Sequence, residues 1–371
     1  MSDDRDLRDE MELIEDEELG AEDVACEKNI GNDFDRDNLD RGDGDDGGDD
    51  GLSGGDGGDG GVPSWVGKVA LGVIVLVIIF SAYKLIRWNM GTAKTEGVTG
   101  ESFEVEVLDQ IFLMPLDKLA LKQDDGKETI LFLGNDILTY YNDENGFVQQ
   151  VEKKLGATVI NAGFPSSTVA LKNARYTSDY PLDAFCFYNV ANSIVSGDFS
   201  MQHEAAVLTG DTRFVNHSQE LDDLDMSTID TLVIFYDAQD YINLRIGMNP
   251  DNDSDPVTYS GALNAGIKAI QEKYPYIRIV CMSFPMCYAY SSDGSLVSGD
   301  RYDFGNGKLT TYLQFMIDTS GATGVSFVDN YYGTIHEDNS SSWLLDNIHV
   351  NADCNAFMAD HFIRVIYPTE E

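Results

Sequence analysis

Four short polar clusters in the C-terminal two-thirds of the chain have residue types and spacings suited to chemistry: Gly134-Asn135-Asp136, Asn161-Ala162-Gly163, Asp237-Ala238-Gln239-Asp240 and Asp346-Asn347-Ile348-His349. An Asp three residues before a His can hold the imidazole through one ring nitrogen and leave the other free as a base. Asp136 is a carboxylate that can attack directly or activate water. Asp136, Asp237, Asp240 and His349 taken together offer oxygen and nitrogen donors to a divalent metal, whose bound water would then be the nucleophile. Ser166, Ser167 and Ser283 have no sequence-local reason to be activated. His203, His217, His336 and His361 read as surface or helix-face residues. Tyr140, Tyr141, Tyr236, Tyr241, Tyr331 and Tyr332 gather near the same clusters, where aromatic faces either stack on sugars or fill a core.

The clusters fall where strands should end. Thr129–Leu133 (TILFL) is a short apolar run that stops at Gly134, as a strand buried on both faces should. Phe147, Val148, Val151 and Leu155 then recur at helical spacing, and Gly156 suits the helix end. Further strands are predicted over Thr158–Asn161, Asp230–Tyr236, Ile277–Met282 and Val325–Val328. Helices are predicted over Tyr259–Lys273 and Asn351–Ile366. Strands alternating with helices imply a parallel sheet covered on both faces, with ligands outside the carboxyl ends of its strands. Pro181–Met226 has no clean period and reads as an insertion over the strand-end face. Glu101–Leu121 reads as a strand plus a short packing segment.

The order of the clusters resembles the SGNH/GDSL hydrolase superfamily of esterases and acyltransferases, over roughly Lys127 to the C-terminus. Gly134-Asn135-Asp136 is similar to that family's first block, a Gly-x-Ser closing strand one. Gly163 is similar to the glycine whose N–H helps form the oxyanion hole. Asp237-Ala238-Gln239-Asp240 is similar to Gly-x-Asn-Asp, and Asp346 with His349 matches Asp-x-x-His unchanged. The resemblance implies a three-layer α/β/α flavodoxin-like parallel sheet. It also implies Asp136, His349 and Asp346 at the catalytic positions, with Gly163, Gln239, Asp240 and Asn135 around the oxyanion and substrate.

The departures fall on the chemistry. Asp136 stands at the serine position and no serine lies between Thr129 and Phe164; losing such a nucleophile costs on the order of a million-fold. Gln239 replaces an asparagine, and Asp237 replaces a glycine while adding negative charge. Three readings follow. The domain is a degenerate hydrolase that binds an acylated glycan or lipid; this reading is preferred. Otherwise Asp136 and His349 run a non-serine hydrolysis, or the acids and His349 hold a metal. There is no Walker loop, Rossmann glycine fingerprint or zinc-type cysteine spacing, so no cofactor and no resident metal is expected.

The N-terminal third is of another kind. Residues 1–63 carry 24 acids against 5 bases and 13 glycines, a composition that reads as a disordered acidic tail naming no partner. Val69–Tyr83 is uncharged and apolar, flanked by Lys68, Lys84 and Arg87 and by Trp65 and Trp88. Trp65 to Trp88 spans about 36 Å as a helix, enough for a bilayer with its interfaces. The expected organisation is a tail at 1–63, one transmembrane helix at 65–88, a linker and packing segment at 89–126 and the hydrolase-like domain at 127–371. The cations after the span favour a cytoplasmic domain. The family resemblance favours an extracytoplasmic one on the cell membrane of an envelope, which is the reading preferred. A net charge of −41 excludes a nucleic-acid partner, which needs a basic face. The even set Cys186, Cys281, Cys287 and Cys354 fits either one or two disulfides or buried thiols.

Overall fold

The structure, a computed structural model, describes residues 108–122 and 125–368. The expected acidic tail and the expected membrane helix at 65–88 lie outside the described residues. Among the described residues no helix is long and apolar enough to cross a membrane.

Five strands form one parallel sheet: β1 (Thr129–Gly134), β2 (Thr158–Gly163), β3 (Thr231–Phe235), β4 (Arg278–Met282) and β7 (Ser326–Val328), in the order β2-β1-β3-β4-β7. A two-stranded antiparallel hairpin, β5 (Tyr288–Tyr290) with β6 (Leu296–Ser298), stands apart from it. β1, β3 and β4 are central, and Ile130 through Leu133, Leu232 through Phe235 and Val280 through Met282 are wholly buried. Two covered faces explain why these strands are continuous apolar runs without alternation.

Helices clothe both faces. Phe132 and Phe235 point to one side, against Phe147 of α1 (Phe147–Leu155) and, for Phe132, Phe362 of α7 (Ala352–Ile366). Tyr236 points to the other, against Phe187 of α2 (Phe187–Ser196). There α2 packs on α5 (Tyr259–Lys273), which packs on α6 (Leu309–Thr323). The sheet order and helix layers make the α/β/α sandwich expected from the alternation.

Between α2 and β3 the structure differs from the reading of an unpatterned insertion: α3 (Ser200–Thr209) and α4 (Thr212–Asp222) follow α2 directly. Polar residues on their buried faces break the apolar period. Ser193 donates to Gln202 at 2.9 Å, and Gln202 donates to the Ala184 carbonyl at 2.8 Å, with both side chains buried. α4 packs on β2 and reaches its carboxyl end, where His217 meets the Gly163 carbonyl.

The outer edge of β7 is covered by the chain entering the domain. Gln110 and Phe327 exchange backbone hydrogen bonds of 2.9 and 2.8 Å as an antiparallel bridge. Leu108 N–H donates to Asp329, and Asp109 accepts from the Asp329 N–H at 2.8 Å and pairs with the buried His361 at 2.9 Å. An edge paired in this way is closed to strand addition.

Candidate functional site

All four polar clusters reach the carboxyl edge of the sheet. Gly134 ends β1 beside Phe235 of β3 and Gly163 of β2. The chain turns at Asn135, whose buried side chain ties three segments together. Its amide donates to the Ser167 carbonyl at 3.0 Å and to Asp237 Oδ1 at 2.7 Å, while its carbonyl oxygen accepts from the Asp237 N–H at 2.9 Å. Asn135 is therefore a structural pin with every polar atom engaged, and not a group available to substrate.

Asp136 opens the one-turn helix Asp136–Thr139. Its Oδ2 accepts from the Ser166 N–H at 2.6 Å. Ser166 holds a left-handed φ of 58° to aim that N–H, a conformation that costs a non-glycine residue on the order of 1 kcal/mol. His349 lies opposite. Its Nδ1 bonds Asp346 Oδ2 at 2.6 Å, and Asp346 Oδ1 accepts the backbone N–H groups of Ile348 and His349 at 2.9 and 2.8 Å. The His349 ring stacks on Tyr140 with centroids 4.5 Å apart. Burial works against ionisation of Asp346, but these hydrogen bonds outweigh it and hold the carboxyl below its usual range. The expected Asp346–His349 pair is thus formed.

Asp136, Asp237 and His349 each bring a donor atom within 4.8 Å of the other two. They share a small cavity of about 10 Å³ with Tyr140, Tyr141, Ile348 and Asn355. Asp237 is only 3% exposed. Its Oδ1 accepts from Asn135 and from the Gln239 N–H at 3.1 Å, while its buried Oδ2 has no partner. Burial, and then the neighbouring Asp136 charge, push its carboxyl far above the usual range. Both causes work against the charged form of Asp237.

Three other expected residues do not take the roles assigned to them. Asp240 is buried away from the cluster, and its two oxygens accept the N–H groups of Val169 and Ala170 at 2.7 and 3.0 Å. It organises the 169–170 loop, which removes it from both the substrate and the metal set. Gln239 turns along its own helix, its Oε1 accepting from Asn243 at 2.9 Å. The Gly163 N–H donates to Asn161 Oδ1 at 3.0 Å, and Asn161 also donates to the Leu138 carbonyl at 2.9 Å. Asn161, a member of the second cluster, takes here a role that its place in the sequence did not assign. Its signal is the tendency of an Asn side chain to capture the backbone two residues on.

Of the tyrosines, Tyr140 and Tyr141 line the cavity, whereas Tyr236, Tyr241 and Tyr331 are core residues. Ser283 is buried, accepting from the Asn330 N–H at 2.7 Å. His217 approaches the site from α4, its Nδ1 2.5 Å from the Gly163 carbonyl. Cys186, Cys281, Cys287 and Cys354 are free and buried. A larger groove, about 840 Å³ and lined by Leu116, Asp230, Arg278 and Tyr367, opens at the amino edge of the sheet, away from all four clusters.

Asp240 sets a pH dependence. Burial raises it to about 6 against the pull of the two N–H bonds and of Arg245. A raised native value means that protonation stabilises the fold: the contribution is complete below the ordinary value of 3.8 and is lost as pH rises through about 6. Urea unfolding at closely spaced pH values is expected to show a stability decline across this window that is shallower in Asp240→Asn. An identical slope in both proteins would assign the decline to other carboxyls.

No family model and no curated protein matches the chain. Several solved structures are similar to it. A protein from Lactobacillus plantarum is 13% identical with a TM-score of 0.46, over 66% of this chain and 99% of that one. A structure described as a GDSL-like lipase from Parabacteroides merdae is 14% identical with a TM-score of 0.40, over 66% and 98%. An acetyl xylan esterase is 15% identical with a TM-score of 0.38, over 64% and 99%. The parallel sheet order and the clusters at its carboxyl edge are those of a three-layer α/β/α sandwich, the architecture expected from the SGNH/GDSL resemblance.

Proposed function

We propose that the chain is a membrane-anchored protein of the cell envelope whose SGNH-like domain binds an acylated glycan or lipid without hydrolysing it. One observation carries the reading: two backbone donors near the nucleophile position already have partners within the protein. The Gly163 N–H is taken by Asn161 and the Ser166 N–H by Asp136. Acyl transfer needs such donors free and aimed at the developing oxyanion, and removing one costs a hundredfold or more. The apolar span from Trp65 to Trp88 supports a single pass through the bilayer, and the family resemblance, against the cations that follow the span, supports a domain on the extracytoplasmic side. The cavity rim of Tyr140 and Tyr141 supports a ligand with an apolar face and polar edges.

A second reading is a non-serine ester hydrolase, favoured by the 2.6 Å Asp346–His349 bond beside Asp136. The two are separated with the full chain in detergent micelles, assayed against short acyl esters and acetylated sugars. The expected result is no turnover by wild type, by His349→Ala or by Asp136→Ser, because a serine at position 136 releases the Ser166 N–H but still finds the Gly163 N–H held by Asn161. Wild-type turnover that vanishes in His349→Ala would sink the binding reading and establish the hydrolase.

A further inference from the structure

Asp136, Asp237 and His349 differ from an ordinary cluster of surface acids in three ways. Asp237 is almost wholly buried and presents to the shared cavity a carboxylate with an unpartnered Oδ2. Leaving a buried polar atom unpaired costs about 1–3 kcal/mol. The His349 Nδ1 is committed to Asp346, which fixes the ring and leaves Nε2 as its available donor. Asp136 is anchored through Oδ2 by the Ser166 N–H, so its position is set in advance.

We infer that Asp136, Asp237 and His349 form a binding site for one divalent transition cation of the Zn²⁺ or Mn²⁺ class, whose open coordination positions take oxygens of the bound ligand. The inference rests on the reading of this cavity as a ligand-binding site, and it runs against the sequence-based expectation of no resident metal. An imidazole among carboxylates suits Zn²⁺ or Mn²⁺ better than Ca²⁺, which takes oxygen ligands. Donors about 2.1 Å from one tetrahedral ion lie about 3.4 Å apart. The three groups, now within 4.8 Å of one another, therefore close by up to about 1.4 Å on binding. Arg213, the nearby cation, is neutralised by Asp211, to which its Nε and Nη2 donate at 2.9 and 2.6 Å. Three protein donors leave room for a ligand's acyl carbonyl or paired sugar hydroxyls, which would give the binder its handle.

The test uses Co²⁺ on the full chain as a spectroscopic stand-in for Zn²⁺. The 24 acids of residues 1–63 will hold cations weakly, but six-coordinate Co²⁺ on exposed carboxylates absorbs little in the visible. A histidine-containing site of lower coordination absorbs strongly. The expected result is one saturable equivalent with a visible band that Zn²⁺ displaces. His349→Ala and Asp237→Asn should each abolish it, and Asp346→Asn should weaken binding by about 10- to 100-fold. Asp293→Asn, at an exposed acid elsewhere, should change nothing. Asp237→Asn keeps the oxygen that accepts from Asn135 and Gln239, and circular dichroism checks that it folds. No saturable band in the wild type, or a band surviving both substitutions, overturns the inference. Ester turnover insensitive to EDTA would instead remove the binding reading while leaving the Co²⁺ result to stand by itself.

Discussion

Gly134→Ala is expected to destabilise the domain by at least about 3 kcal/mol, the upper range for overpacking. A Cβ at residue 134 would lie 1.9 Å from the Phe235 carbonyl oxygen and 2.6 Å from Leu138 Cδ1. Leu138 can rotate, but the carbonyl belongs to β3, which is paired on both sides. Relief requires β1 and β3 to part, and that would stretch the Asn135–Asp237 bonds just beyond. Urea unfolding of Gly134→Ala beside Gly156→Ala makes the comparison. Gly156 has a left-handed φ of 69° with open space around it, so alanine there costs only about 1–2 kcal/mol. Equal losses at both positions would show that close packing at residue 134 is unimportant.

Asn135→Ala is expected to cost about 4 kcal/mol, since it strands a buried N–H, a carbonyl and a carboxyl at once, each worth about 1–3 kcal/mol. The partners are the Asp237 N–H, the Ser167 carbonyl and Asp237 Oδ1. For a domain of this size the loss lowers the melting temperature by roughly 10 °C. Asn135→Asp keeps the acceptor for the Asp237 N–H but sets a second carboxyl against Asp237, so it should recover little of the loss. A melting temperature within a few degrees of wild type for either substitution would mean that the three strand-end segments hold together without this pin.

The sheet was legible because covering both faces of a strand leaves an uninterrupted apolar run. Asp230–Tyr236 and Ile277–Met282 were read to within a residue of β3 and β4. α1 was read to its ends because Phe147, Val148 and Val151 face the core at regular spacing and Gly156 closes the helix in a left-handed turn. α3 was not legible: its buried Gln202 satisfies Ser193 and Ala184, so the residue marking its inner face is polar. At the site, the Asp346–His349 pair is local and was visible in the spacing. The fates of Asp237 and Asp240 were not. The two carboxyls are three residues apart, and only the folded backbone decides that one meets the cavity while the other meets the Val169 and Ala170 N–H groups. The spent Gly163 N–H was equally hidden, since it depends on the rotamer of Asn161.

The chain that enters the domain along β7 also governs how the fold answers a mechanical load. Because Gln110 runs antiparallel to Phe327, a load applied at Leu108 along the strand axis acts in shear. The Gln110–Phe327 pair, the Leu108 and Asp109 bonds to Asp329 and the Asp109–His361 contact then share the tension and must yield together. A sideways tug would peel them one after another. This edge is therefore strongest against a load along β7 and weakest against one across it.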